Sequence, residues 1–292
     1  MLKSRLMATS SRKSTLRLGY FGRAGSFTHV AAMRRFPQES LSECPTVEEA
    51  FARLLAGEFT HILVPIENAS SGIITNTADQ LMRLAKSEAG EALQIREALA
   101  MRVELALMAR ADTKVITKIY SHRAPFDHGR DWLAKHYPQA EQIIVESTSE
   151  AAALAAKEKG AAAIAGQHVA SRAKLKIVSK TVGAETANQT TFIVIGPPLP
   201  HARVLKPTHT SLVFELPHVA GSLVAVLHAL SKRNLNLTKI LSRPIPGRFE
   251  EYRFMIEFHG ATPAKTVIDA LARLKKLTTF LAVIGSYPVR RI

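Results

Sequence analysis

The sequence predicts an α/β protein of two lobes followed by a compact α+β unit. Three observations carry that expectation. After residue 17, short apolar runs alternate with helix-like stretches as far as "TFIVIG", residues 191–196. The segment "PPLPHARVLKPTHT" then places four prolines in fourteen residues, the composition of a linker. Beyond it, six segments follow in the order βαββαβ.

In chain order, residues 1–17 form a basic tail with five Lys/Arg and no acid, read as a disordered extension or a short targeting peptide. "LRLGYF" reads as a strand and "SFTHVAAMRRF" as the helix after it. Between them Gly22 and Gly25 permit a tight turn, and Ser26 caps the helix or joins its free amides in holding an anion. "ILVPIENASSGIITNTADQL" follows an apolar strand with Glu67, Asn68 and a donor-rich loop; Glu67 is either a solvated charge or part of a site. In "KIYSHRAPFDHGRDWL", Ser121, His122 and Arg123 stand between strand and helix, with His122 a proton carrier or a plain hydrogen-bond partner. "VESTSEAAALAA" is a helix start, capped by Ser147 or Thr148 with Glu150 in a capping box. The last strand opens on Asn188, Gln189, Thr190 and Thr191.

Strand ends on one edge of an open α/β sheet converge on a shared crevice, so these polar turns together predict a cleft for a small anion. Past the linker (197–209), residues 210–292 supply strands "SLVFELP", "LNLTKILSRP", "YRFMIEFHG" and "FLAVIGSYPV" and helices "AGSLVAVLHALSKRN" and "PAKTVIDALARLKKL". That order predicts a four-stranded antiparallel sheet with two helices on one face, the ferredoxin-like arrangement.

Composition narrows the classes of function. The net charge of +15 lies mainly outside the cleft segments: residues 18–196 hold twenty basic against nineteen acidic side chains, and 197–292 hold fourteen against five. Basic residues are not interleaved with aromatic platforms, which argues against nucleic acid as a partner. One cysteine, Cys44, excludes a disulfide framework, and the eleven histidines lack metal-ligand spacing. No apolar run is long enough for a membrane helix, and no Gly-rich dinucleotide or Walker motif occurs. The expectation is a soluble, cytoplasmic protein without metal or cofactor.

Taken in order, "YFGRAGSFTHVAA", "VPIENASSGIITNTADQL", "YSH", "NQTTF", "GSL" and "NLTKILSRP" resemble the prephenate dehydratase family with its C-terminal ACT regulatory domain. The resemblance implies a two-lobed catalytic domain over 18–196, similar in outline to periplasmic binding proteins, with one lobe at about 18–98 and a return near 186–196. It implies conversion of prephenate to phenylpyruvate with loss of carbon dioxide and water, without cofactor. L-phenylalanine would inhibit through ACT domains paired in a homodimer or tetramer. It further implies Thr190 as donor to the departing hydroxyl, with Ser26, Glu67, Asn68, Ser121, His122, Arg123, Asn188, Thr191 and Phe192 around the substrate. Effector residues are Gly221, Ser222, Leu223, Asn236, Leu241, Ser242, Arg243 and Pro244.

The chain departs from the family at several of these positions. Thr191 replaces the arginine of Thr-Arg-Phe, and a hydroxyl does not imitate a guanidinium fork. Arg23, Ala69 and "SHRAPF" are further changes, with Arg123, or Arg23, as a replacement cation. Leu241 stands where the family has glutamate, removing a partner for an amino group. Two other readings fit the same pattern: a decarboxylase of this scaffold that keeps the hydroxyl, and a silent amino-acid sensor.

Overall fold

In the computed structural model, residues 16–183, 188–199 and 205–292 are described. The tail up to residue 15 and part of the expected linker lie outside them.

The first lobe is built on a sheet of order β16-β5-β11-β3-β1-β2, with β4 added on β3. Its strands are β1 (Arg17–Phe21), β2 (Ser40–Cys44), β3 (His61–Asn68), β4 (Gly72–Ile73), β5 (Gln94–Arg102), the returning β11 (Gln189–Gly196) and the C-terminal β16 (Val289–Arg291). Helices α1 (Phe27–Arg35), α2 (Val47–Leu55) and α3 (Thr75–Leu84) cover it. Helix α2 forms because Thr46 accepts from the Glu49 amide, Glu48 and Glu49 face the helix N-terminus, and Val47, Ala50, Phe51 and Leu54 bury one stripe.

The second lobe carries β6 (Leu105–Ala109), β7 (Lys118–Ser121), β8 (Glu141–Ile144), β9 (Ala161–Gly166) and β10 (Lys176–Ser179) in the order β10-β6-β9-β7-β8. Helices α4 (Arg123–His128), α5 (Arg130–His136), α6 (Thr148–Ala155) and α7 (Gln167–Ala173) connect its strands. The chain passes between lobes in two antiparallel segments, where Val103 N donates to Asn188 O at 2.8 Å and Gln189 pairs with Arg102. The first lobe thus extends to Arg102, four residues beyond the expected boundary, because β5 runs to the crossing point.

The third sheet, β13-β14-β12-β15, comprises β12 (His209–Glu215), β13 (Leu237–Pro244), β14 (Tyr252–His259) and β15 (Phe280–Tyr287). Helices α8 (Ser222–Ser231) and α9 (Lys265–Lys275) pack on one face through Leu212, Phe214, Val226, Leu230, Ile256 and Leu274. The other face is not left to solvent. Val213, Met255, Ile284 and Tyr287 share a core with Ile62, Val64, Ile66, Ile193 and Ile195 of the first lobe. The approach is close, since a side chain at Gly285 would meet Ile95 O at 2.5 Å.

After β15 the chain crosses back and adds β16 to β5. Arg290 Nε then reaches Glu97 at 2.6 Å, and Arg35 Nε reaches the other carboxylate oxygen at 2.6 Å. Glu97 is 1% exposed, so its charge depends on these partners rather than on water. Glu97→Ala should therefore lower unfolding stability by about 3–5 kcal/mol in urea titration, because guanidinium groups lose a buried counter-charge.

Candidate active site

Parallel pairing of β1 with β3 brings the Gly22–Ser26 turn and the loop after Asn68 to one edge of the first sheet. In the second lobe β7, β8 and β9 run parallel, so the segments after Ser121, Ile144 and Gly166 share an edge as well. Polar contacts bridge the lobes: Ser70 Oγ lies 2.8 Å from His128 Nδ1, and His168 Nε2 donates to Gly25 O at 2.8 Å.

Where the chain passes between the lobes the best-defined group is Asn68, Asn188 and Thr190. Asn68 Nδ2 donates to Asn188 Oδ1 at 3.0 Å and to Thr190 Oγ1 at 2.9 Å. Asn68 Oδ1 accepts from the Ser70 and Ser71 amides at 2.9 and 3.2 Å. Those two amides are donors only, so the Asn68 carboxamide has one admissible orientation. Its consequence is chemical: Thr190 oxygen accepts from Asn68, leaving the hydroxyl proton to be given elsewhere. Thr190 is 8% and Asn188 6% exposed, so this donor lies in a low-dielectric setting. Phe192, two residues on, is buried on the same face with Leu63, Leu99 and Met101.

Strand alternation corrects the expected grouping of Thr191 and Glu67 with Thr190. A register shift between Thr191 and Phe192 marks a β-bulge in β3, pairing Thr191 with Glu67 and Thr190 with Asn68. Thr191 points with Ile193 toward the C-terminal unit, and Glu67 points the same way, its Oε2 3.2 Å from Lys239 Nζ. Glu67 therefore has an adjacent cation, which the local sequence did not reveal because it arrives from 172 residues downstream. The missing arginine at Thr191 takes nothing from the Thr190 face.

Other expected residues are engaged locally. Ser26 Oγ accepts from His29 N as the cap of α1, and Ser121, fully buried, donates to Ile164 O at 2.8 Å. His122 Nδ1 accepts from Ala124 N at 3.3 Å, and partial desolvation lowers its pKa, keeping the ring neutral near pH 7. Arg123 is 70% exposed beside Asp127 at 3.4 Å, and Arg23 is exposed. Ser147 caps α6, as its sequence predicts, accepting from Glu150 N.

Sequence reasoning missed His128, whose pKa partial burial lowers, and Arg172, whose guanidinium lies beside the Gly25 turn. Neither carried a local signal: one ends a short helix and the other sits in a helix of ordinary composition.

Comparison with known proteins identifies the family. The prephenate dehydratase profile matches residues 18–198, and that of the ACT domain matches 210–276. The chain belongs to the prephenate dehydratase family. It is 31% identical over 288 residues to the bifunctional chorismate mutase/prephenate dehydratase of Aquifex aeolicus (strain VF5), covering 97% of this chain and 76% of that protein. The crystal structure of prephenate dehydratase from Arthrobacter aurescens in complex with L-Phe is 26% identical with a TM-score of 0.81, over 94% of this chain and 90% of that one. GqqA, described as a novel type of quorum quenching acylase, superposes with a TM-score of 0.77 at 22% identity, over 93% and 97% of the two chains. At that identity the likeness concerns the fold.

In this dehydratase the expected effector residues fall into separate places. Gly221, Ser222 and Leu223 line a cavity of about 380 Å³ with Pro217, Tyr252 and Phe254, and Gly221 adopts φ 85°, which favours glycine. Asn236 borders a second cavity, of about 490 Å³, at the far end of α8. Along β13 the side chains alternate, with Ser242 and Pro244 exposed. Leu241 instead packs into the interdomain core, and Arg243 makes a bidentate pair with Asp79 of α3 at 2.7 Å on both arms. Leu241 is thus not aimed at an effector amino group, and its apolar character suits the contact it makes.

Asn68 separates loop support from donor orientation. Asn68→Ala should cost about 1–3 kcal/mol in chemical unfolding, since it strands several partners. Asn68→Asp, which still accepts the loop amides but does not donate to Thr190, should be the more stable of the two while turnover falls in both.

Proposed function

We infer that this dehydratase turns prephenate into phenylpyruvate, carbon dioxide and water, with Thr190 as the donor to the leaving hydroxyl. The observation that carries the assignment is the Asn68 amide, which occupies the Thr190 oxygen and leaves its proton available. In the reaction the bond from the ring to its carboxylate breaks, its electron pair enters the ring, and the C4–O bond breaks as the ring becomes aromatic. The departing oxygen leaves as hydroxide, hydrogen-bonded by Thr190, and takes a proton from solvent to become water. A preorganised hydrogen bond to that oxygen stabilises the charge developing on it, and the aromatic product supplies the driving force. Phe192 is buried in the core on the same face of β11, and the imidazole of His122, whose Nδ1 accepts from Ala124 N, has its other ring nitrogen as a further hydrogen-bonding group. Of the changes that invite a decarboxylase reading, Thr191, Ala69 and Arg123, the first lies on the face of β11 opposite this donor.

L-phenylalanine inhibits through the ACT domain. Gly221–Leu223 and Asn236 are set at opposite ends of α8, so a ligand touching both needs a second copy of the chain. Edge strand β13, with Ile240 44% exposed, is a free pairing edge that supports such a homodimer. The buried lone thiol of Cys44 is consistent with a reducing cytoplasm. No helix among the described residues is long and apolar enough to cross a membrane.

Purified protein given prephenate should yield phenylpyruvate, identified by chromatography and ultraviolet absorbance, and less of it with L-phenylalanine present. Thr190→Val should lower kcat by about 10²–10³-fold with KM little changed, the loss typical of one transition-state donor. A product that keeps the hydroxyl would overturn the assignment. Light scattering after gel filtration should give twice the chain mass of 31.9 kDa, or a multiple of it; a monomer with and without phenylalanine would refute the paired ACT site.

A further inference from the structure

The contact between Lys239 and Glu67 joins the regulatory domain to the residue next to Asn68. Lys239 leaves the face of β13 that also carries Leu241 and Arg243, and its side chain is 13% exposed. Its ammonium lies 2.6 Å from Glu257 Oε1 and 3.2 Å from Glu67 Oε2. Glu257 is itself fixed: Thr238 Oγ1 donates to it at 2.7 Å and Tyr287 OH at 2.6 Å, with Ser211 Oγ 2.6 Å from the Tyr287 hydroxyl. Every strand of the ACT sheet therefore contributes to holding one ammonium. Burial alone would lower the Lys239 pKa, but Glu257 and Glu67 hold it above its usual value, so the charge is retained.

On the other side of that ammonium the connection is short. Glu67 sits in the bulge of β3, paired with Thr191, and the next residue is Asn68, paired with Thr190. Thr191 brings no charge to Glu67. Without Lys239 the carboxylates of Glu67, 35% exposed, and Glu257, 9% exposed, would lose the cation between them, and the backbone that carries Glu67 is the irregular part of β3. Movement there re-aims the carboxamide that orients the Thr190 hydroxyl.

We propose that Lys239 is a positioning residue for the dehydration: by clamping Glu67 to the ACT sheet it fixes Asn68, and through this contact the state of the ACT domain reaches Thr190. The role rests on the assignment of Thr190 given above. A second interdomain pair, Arg243 with Asp79, docks the same strand on α3 without touching the bulge, so docking and positioning are separable.

The test compares Lys239→Met with Lys239→Arg, Asp79→Asn and Lys239→Met/Thr191→Arg, each verified as folded by thermal melting, with prephenate as substrate and L-phenylalanine as effector. In Lys239→Met, kcat should fall about 10- to 100-fold, as for a small misplacement of a reacting group, with KM within about twofold. Its residual turnover should no longer respond to phenylalanine, although calorimetry still detects phenylalanine binding. Lys239→Arg should retain turnover and inhibition, and Asp79→Asn should keep kcat near the parent value. The double variant, which places a cation beside Glu67 from β11, should recover turnover without recovering inhibition. Parent-like kcat and inhibition in Lys239→Met, or an equal kcat loss in Asp79→Asn, would overturn the proposal. If Lys239→Met does not fold, Glu67→Gln carries the test: inhibition should be lost, and full inhibition overturns the idea. Failure of the parent protein to make phenylpyruvate would instead overturn the underlying assignment, so the two failures are distinguishable.

Discussion

The pairing of β3 with β11 across a β-bulge is the constraint on which the rest of the molecule depends. Strand geometry sends successive side chains to opposite faces, and one extra residue at Ile66–Glu67 resets which residues those are. On one face Asn68, Asn188, Thr190 and Phe192 gather at the point where the chain passes between lobes. On the other, Glu67, Thr191, Ile193 and Ile195 meet the regulatory sheet. The proposed active site and the regulatory contact are therefore the two sides of one strand pair.

That arrangement explains why a threonine at position 191 is compatible with the family's chemistry in this chain. The side chain there lies on the face of β11 that carries Ile193 and Ile195, and its β3 partner Glu67 already has Lys239 as a cation. The same alternation accounts for Leu241, which completes an apolar core between domains. The C-terminal strand adds a second tie, since β16 extends the first sheet and carries Arg290 to the buried carboxylate of Glu97. The ACT domain is consequently held to the first lobe by core packing, a shared sheet and ion pairs together.

Much of the fold was legible in the sequence because periodicity and turn chemistry are local. The alternating segments, the Ser26 and Ser147 helix starts and the βαββαβ order of the C-terminal unit all follow from neighbours within a few residues. The motif order places Asn68, Asn188 and Thr190 in one set with Ser26, Glu67, Ser121, His122, Arg123, Thr191 and Phe192, and the structure joins the first three by hydrogen bonds. What the sequence hid was non-local. A bulge has no strong sequence signature, so the sequence does not show that Glu67 and Thr191 lie on the face opposite Thr190. Lys239 belongs to a distant strand, and nothing near Glu67 announces it. Gly285 gave no sign that a second sheet would press against β5, because close backbone approach shows only in the packed molecule.

The central claim is that the Thr190 site and the regulatory interface share one stretch of backbone. Hydrogen exchange with and without L-phenylalanine measures this directly, peptide by peptide. The account predicts altered protection of amides at 66–70 and 189–192 together with those of the ACT sheet. Changes confined to residues 209–287, under conditions where phenylalanine suppresses turnover, would contradict it.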